Sequence, residues 1–429
     1  MTMTRRILPI LLWLTAFTAL PAQITLEECV RSARENYPLI VKYDLIGRLR
    51  DVSLSDVGKS WLPQIHAYAQ GTVQNAVPSL PEPLSGMLAA GGLSFPGLEK
   101  WQYKVGVDVS QTIWDGGASK SQRAVQRARH DEQEAALDVQ MYAVRERVEN
   151  LFFGILLLER QIGQTAAAQA LLRSSLDRLN AGVAGGTARQ SDADMVEAQL
   201  LATGSQIKQA QSVSQSYRRM LGLYVGRDLS GQSLVTPAAE IPSDLSSARP
   251  ELRLFDARMQ TNEVRDAGIR NTLMPRVGLF GQFAYGYPGF DYFRSMRSRE
   301  LSLNLLLGLK VSWNISAFYT RKNDAWKLRL SSDDISADRD VFLFNADVRK
   351  QEQVAHIREL QSVMEDDARI VRLRAGVRRT AESQLENGVI DATDLLTKIT
   401  DETQARLTAD YHEIQLIQSI FQLKYTLNR

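Results

Sequence analysis

Residues 101–117 read WQYKVGVDVSQTIWDGG, and residues 301–316 read LSLNLLLGLKVSWNIS. Both stretches alternate apolar and polar positions, with Trp101 and Trp313 near strand ends. Alternation over about 10 residues with aromatics near the ends is typical of transmembrane β-strands. A half-buried sheet in a soluble domain would alternate too, but here the apolar rows are very hydrophobic and no helix-sized partner lies between the strands. We therefore predict membrane strands.

These strands belong to a large internal repeat. Residues 61–78 (WLPQIHAYAQGTVQNAVP) correspond to 273–288 (LMPRVGLFGQFAYGYP), and 180–200 correspond to 386–402. The order helix, strand pair, long helix, glycine turn, helix therefore occurs twice. A repeat of this size predicts two copies of one architecture.

After the second strand of each repeat comes a long helical pattern with a coiled-coil period. In the first, Leu137, Met141, Val144 and Val148 step alternately by four and three residues, which is a heptad seam. We predict an α+β membrane protein with four transmembrane strands per chain and the following segments. A signal peptide would occupy residues 1–22, and a linker would occupy residues 223–247. The first repeat (23–222) would contain a helix near 25–58, strands near 62–75 and 101–114, and helices 118–179 and 191–222. The second repeat (248–429) would contain a helix near 249–272, strands near 275–287 and 301–314, and helices 318–385 and 394–427.

The N-terminus has the composition of a secretory signal. Arg5 and Arg6 precede an apolar stretch of about 14 residues, too short for a spanning helix. The only cysteine, Cys29, follows two glutamates rather than the apolar core, so we expect no lipid there. A single cysteine also excludes an internal disulfide, and we expect Cys29 to be a small buried residue.

Enzyme and nucleic-acid functions find no support in the sequence. The formal net charge is +2, which gives no case for nucleic acid. His412-Glu413 begins a zinc-protease-like string, but Leu416 stands where the second histidine is required. The remaining histidines are scattered, so we predict no catalytic residue, no metal site and no cofactor.

Four strands cannot close a barrel, and in lipid every strand edge must be paired. We therefore expect the barrel to be shared between copies of the chain. Two copies would give a packed barrel without a channel, and three would give 12 strands around a wider interior. The sequence itself does not decide between two and three copies of the chain.

Several stretches together resemble the TolC family of outer-membrane efflux proteins, over essentially all of residues 24–429. They are ITLEECVRSARENYPLI, WLPQI, SQTIWDGGASKSQRA and AGVAGGTARQSDADMVEAQL. The resemblance implies a homotrimer in the outer membrane of a Gram-negative bacterium. Its shared 12-stranded barrel would continue as an antiparallel α-helical coiled-coil tunnel across the periplasm. It further implies a passive channel for efflux or type I secretion, which works with a periplasmic adaptor (membrane fusion) protein and an inner-membrane pump such as an RND or ABC transporter.

The two glycine turns form the tips of the predicted helical hairpins. We expect Gly182 and Gly388 to take the left-handed conformation that ends a helix. Ser191 in the first repeat, and Asp391 or Thr393 in the second, would cap the helix that follows.

The resemblance also implies roles for residues at these tips. Acidic residues after the second turn often line a constriction in the family, which points to Asp394, with Asp192 in the matching place and Thr397 where a second aspartate is common. By itself, Asp394 repeated around a narrow axis would attract cations, but an aspartate in a first helical turn also simply complements the helix dipole. Candidate adaptor contacts are Gly182, Gly186, Gly388 and Val389.

The alternative function is a non-conducting structural or adhesive protein that spans the periplasm with the same barrel and tube. A polar, water-filled bore would favour the conduit, whereas apolar side chains filling the bore would favour the rod.

Overall fold

The computed structural model describes residues 23–429, so the predicted signal peptide lies outside the described residues. Along the chain, the order of two long strands followed by two long helices occurs twice. In the described part of the chain, no helix combines the length and the apolar character needed to cross a membrane. The elements are β1 (Gln23–Ile24), α1 (Leu26–Asn36), α2 (Val41–Lys59), β2 (Gln64–Val73), α3 (Glu82–Ala90), β3 (Trp101–Trp114), α4 (Ala118–Ala184), α5 (Gln190–Val225), β4 (Ser233–Leu234), α6 (Pro250–Thr272), β5 (Arg276–Tyr287), α7 (Tyr292–Ser298), β6 (Ser302–Ser312), α8 (Ala317–Glu386) and α9 (Ala392–Leu427).

The chain forms two compact units, and each takes segments from both repeats. The sheet unit comprises Val41–Asp138 and Pro250–Phe342. The helical unit comprises the described residues up to Ile40, together with Val139–Arg249 and Leu343–Arg429.

The sheet unit contains an antiparallel sheet in the order β2-β3-β5-β6. Residues opposite each other on paired antiparallel strands share a face. One such row crosses all four strands as Ala67, Val107, Phe283 and Leu305, and its neighbours are similarly apolar. The opposite face carries rows such as His66, Asp108 and Gln282. The alternation seen in the sequence therefore produces one continuous apolar face and one largely polar face.

Phe280 breaks this alternation, because its ring lies on the polar face. There it covers Gly308, where an added Cβ would stand 2.7 Å from the ring. Tyr68 covers Gly106 in the same way, at 2.8 Å. Each aromatic ring thus packs over a glycine on a neighbouring strand, which stabilises the strand pairing.

The helices of the sheet unit lie in the order α2-α4-α6-α8. Tyr43 on α2 donates a 2.6 Å hydrogen bond to Asp138 on α4, and Arg253 on α6 donates to the same carboxylate at 2.8 Å. Asn262 on α6 in turn donates to Ser331 on α8 at 3.1 Å. Because β2 follows α2, β3 precedes α4, α6 precedes β5 and β6 precedes α8, strands and helices have the same lateral order.

The helical unit is built around a buried aromatic and aliphatic cluster. Phe153 on α4 and Phe421 on α9 meet with ring centroids 5.6 Å apart, and α1 contributes Leu26 and Cys29. Cys29 is fully buried, as expected, and burial raises the pKa of its thiol to about 12. The thiol is therefore held in its protonated, unreactive form.

Three features differ from the sequence-based expectation. The helix expected near 25–58 is interrupted at Tyr37, which is extended because a residue before proline disfavours helical geometry. The loop 74–100 contains α3, and the loop 286–300 contains α7. Both helices are only two or three turns long, too short for their periodicity to stand out from the surrounding turn residues.

Candidate functional site: the helical tips

The first tip joins α4 to α5. Helix α4 extends to Ala184, so Gly182 lies within it, and the left-handed residue is Gly186 (φ 71°). The expectation for Gly182 was therefore wrong, because the carbonyl of Gly182 instead accepts the returning hydrogen bonds from the amides of Thr187 (2.8 Å) and Ala188 (3.2 Å). Ser191 is also not the cap: α5 begins at Gln190, and the capping residue Arg189 makes no side-chain hydrogen bond to the helix.

The second tip joins α8 to α9. Gly388 has the expected left-handed conformation (φ 69°), and the amide of Val389 returns to the carbonyl of Gln384 at 2.8 Å. Asp391 caps α9 by accepting a 3.0 Å hydrogen bond from the amide of Asp394. Of the two cap candidates, Asp391 is therefore correct, and Thr393 lies inside the helix.

An apolar cluster below the turns holds both tips together. It combines Leu179 of α4, Val196 of α5, Ala381 of α8 and Leu395 of α9, all buried. Because four helices contribute to one core, the two turns form a single four-helix end rather than two separate hairpins.

A groove of about 910 Å³ runs between the two turns. The groove residues come from both repeats, and five of the residues predicted from the sequence are among them. Gly186 and Thr397 do not line the groove; the Thr397 hydroxyl donates to the carbonyl of Thr393 at 2.9 Å. The predicted residues that line it are Gly182, Asp192, Gly388, Val389 and Asp394.

The groove is predominantly acidic. Its lining includes two arginines, Arg178 and Arg189, against five carboxylates. Two of these carboxylates are engaged in ion pairs: Glu386 on α8 with Arg178 on α4 at 3.0 Å, and Glu382 with Arg378 on its own helix at 2.6 Å. Neither Asp192 nor Asp394 forms an ion pair with any residue of the described chain within 4.0 Å. Both carboxylates therefore remain available to interact with cations.

A charged network between α8 and α9 was not predicted. Glu402 is buried and accepts hydrogen bonds from Arg378 and from Arg406, the latter at 2.7 Å. Burial alone would raise the pKa of Glu402, but the hydrogen bonds from the two arginines outweigh it and hold the pKa below its usual value. The i, i+4 pairs Arg378–Glu382 and Glu402–Arg406 could have been found from spacing, but the bond between the helices could not.

Several solved outer-membrane proteins share this fold at low sequence identity. VceC from Vibrio cholerae is 12% identical, with a TM-score of 0.67 over 94% of this chain and 95% of that chain. The CmeC outer membrane channel of Campylobacter jejuni is 14% identical, with a TM-score of 0.67 over 94% and 85%. The open state of the Neisseria gonorrhoeae MtrE outer membrane channel is 14% identical, with a TM-score of 0.64 over 94% and 88%. At these identities the likeness establishes the fold.

A comparison with protein-family models gives a match over part of the sequence. Residues 33–227 match the model of the outer membrane efflux protein family. Among curated protein sequences there is no significant match. The family match and the shared fold confirm the resemblance to the TolC family of outer-membrane efflux proteins. The chain is an outer-membrane protein that resembles this class of efflux channels.

Proposed function

We propose that three copies of this chain close into one conduit, with β6 and α8 of each copy beside β2 and α2 of the next. The observation that supports this proposal is that the strands and the helices of the sheet unit lie in the same lateral order. Strand β2 and helix α2 therefore lie at one side of the unit, and β6 and α8 lie at the other. An unpaired strand edge in lipid leaves backbone groups without partners, each at a cost of several kcal/mol. Joining β6 to β2 removes both edges, and three copies give 12 strands.

The helices at the two sides support the same closure, since each presents an exposed apolar stripe. On α8 the exposed apolar residues include Tyr319, Trp326, Leu330 and Val341. On α2 the exposed apolar residues are Val41, Leu45, Leu49 and Val52. Two complementary stripes of this kind are typical of helices that pack against a partner.

The two faces of the sheet favour a conduit over a filled rod. The apolar face would contact lipid, and the other face would line the interior with Lys104, Asp108, Asn304 and Lys310. The charged side chains among them, Lys104, Asp108 and Lys310, require water. A non-conducting structural or adhesive protein would need apolar side chains filling the same space.

At the tips, we propose that Asp394 and Asp192 line a cation-attracting constriction. The exposed tip residues Gly186, Gly388 and Val389, with Gly182 beside them, would contact a periplasmic adaptor. The protein itself would perform no catalysis, and an inner-membrane pump of the RND or ABC class would supply the energy. The acidic groove shared by both turns supports this arrangement.

The number of chains is tested by native mass spectrometry of the detergent-extracted protein. We expect a particle of three chains. A monomer or dimer as the predominant species would contradict the closure.

The constriction is tested by single-channel conductance in a planar bilayer. We expect a small wild-type conductance that a trivalent cation blocks, and relief of that block in Asp394→Ala. Asp194→Ala is the matched control, because Asp194 is exposed near the same turn but does not line the groove. An equal change in both variants would contradict a role for Asp394, and three-chain particles without conductance would favour the structural alternative.

A further inference from the structure

We propose that His130, Asp131 and Glu134 on helix α4 form a binding site for a divalent transition-metal ion. This site goes beyond the conduit function and does not depend on it. The sequence alone predicted no metal site, because the histidines are scattered along the chain. The structure supplies what histidine spacing could not show, since the ligands beside His130 are carboxylates from its own helix.

The three ligand atoms have the spacing of a chelate. The Nδ1 atom of His130 lies 3.3 Å from Asp131 Oδ1 and 4.0 Å from Glu134 Oε2, and the ligand atoms of all three residues lie within 4.8 Å of one another. In a tetrahedral zinc site, with bonds of 2.0–2.2 Å, neighbouring ligand atoms stand about 3.4 Å apart. Small side-chain rotations would therefore bring all three atoms onto one ion, with water in the fourth position.

The charges around the imidazole favour a cation. Two other carboxylates on the same helix face arginines: Glu132 lies 3.7 Å from Arg258, and Asp138 lies 2.8 Å from Arg253. Within the described chain, no arginine or lysine comes within 4.0 Å of Asp131 or Glu134. Two uncompensated carboxylates thus converge on one imidazole nitrogen, and a bound divalent ion would neutralise both.

Burial and access are also suited to an ion. His130 is only 9% exposed, so the surrounding helices restrict its ring. The side chains of Asp131 and Glu134 are 55% and 38% exposed, which leaves a path from solvent. Helix α4 lies between α2 and α6, away from the sides that would contact another copy, so the proposed trimer leaves the site accessible.

The ligand set selects the kind of ion. One imidazole with two carboxylates suits zinc and neighbouring first-row divalent ions, whereas magnesium and calcium prefer sites made entirely of oxygen ligands. His356 provides an internal comparison: its Nδ1 lies 3.2 Å from a single carboxylate, Glu359, on α8. One imidazole and one carboxylate make a weaker chelate than the three groups at His130.

The site is tested by isothermal titration calorimetry of the full-length protein, purified through a tag without histidine and stripped with a chelator. Zn²⁺ is the probe and Mg²⁺ the comparison ion. We expect wild type and His356→Gln to bind one Zn²⁺ per chain and to show no comparable Mg²⁺ binding. His130→Gln and Glu134→Gln should weaken Zn²⁺ binding by about tenfold or more, equivalent to roughly 1.4 kcal/mol or more.

The particle mass and the circular dichroism spectrum of each variant control for folding. If His130→Gln misfolds, Asp131→Asn and Glu134→Gln, which change one exposed and one partly exposed group, decide the result. Absence of Zn²⁺ binding by wild type would overturn the proposal, and would leave His130 with its hydrogen bond to Asp131 alone. Equal Zn²⁺ binding by wild type and His130→Gln would overturn it as well.

Discussion

Two adjacent leucines on β6 provide a direct test of which sheet face meets lipid. Leu307 is the central residue of Ser302–Ser312, and it lies on the apolar face opposite Gly281. Leu306 lies on the other face, opposite Gln282. The same substitution, leucine to arginine, can therefore be made at neighbouring positions that differ only in the face they occupy.

Arginine on the lipid face at the bilayer midplane costs about 2–4 kcal/mol. At about 1.4 kcal/mol per factor of ten, Leu307→Arg should reduce the folding equilibrium in lipid roughly 30- to 700-fold per chain. In Leu306→Arg the guanidinium would instead enter the polar interior, where water can solvate it. We expect that variant to fold with much smaller loss.

The assay is urea titration of the protein folded into phospholipid vesicles, followed by tryptophan fluorescence. Each variant is compared with wild type at equal lipid concentration. A loss for Leu306→Arg that equals or exceeds the loss for Leu307→Arg would refute the assignment of the two faces.

Three further predictions concern the helical unit and are measured by urea unfolding in detergent micelles. Phe153→Ala removes a fully buried ring and should lower the free energy of unfolding by about 3–5 kcal/mol. Phe293→Ala, on the exposed face of α7, is the control and should change it by less than about 0.5 kcal/mol. Similar losses of stability in the two variants would contradict a core built around Phe153. Burial raises the pKa of Glu149 from 4.5 to about 7, so between these pH values the folded state retains a proton that the unfolded chain releases. The free energy of unfolding should therefore fall as the pH rises from about 4.5 to 7, by at most about 3 kcal/mol. Glu149→Gln should flatten this fall, and an unchanged pH dependence would count against it. The pKa of Glu402 is lowered instead, so the carboxylate's contribution to stability is complete at neutral pH. Glu402→Gln should lower the free energy of unfolding by about 3 kcal/mol at pH 7 and by less below about pH 4. A loss of stability that does not change with pH would contradict this prediction.

The strands could be predicted because alternation records the face of each side chain directly. The sequence placed strands near 101–114 and 301–314, and the structure has Trp101–Trp114 and Ser302–Ser312. The sequence of β5 alone could not explain why Phe280 lies on the polar face, since the glycine that its ring covers is on β6. Pairing between distant segments is decided by packing, which no local pattern contains.

The tips were predictable in part for a similar reason. Gly388 and Asp391 have local roles in ending and starting a helix, so their residue types were sufficient. The first turn contains Gly182, Gly185 and Gly186, and composition alone does not decide which of three glycines is left-handed. The apolar cluster that joins the two tips, and the bond from Arg378 to Glu402, both depend on helices that meet only in the folded chain.

The closure of the sheet between copies is tested most directly by disulfide cross-linking of β6 to β2. Single cysteines at positions 303, 305 and 307 on β6 would each be combined with one at 65, 67 or 69 on β2, in a chain carrying Cys29→Ala. Because each β6 position is combined with each β2 position, the pairs test strand registers shifted in either direction along the apolar face. After oxidation, a non-reducing denaturing gel should show covalent species of two and three chains for at least one pair, and none for cysteines on β3 combined with β6. Cross-links that form only within a single chain, or none in any pair, would contradict a barrel shared by three copies.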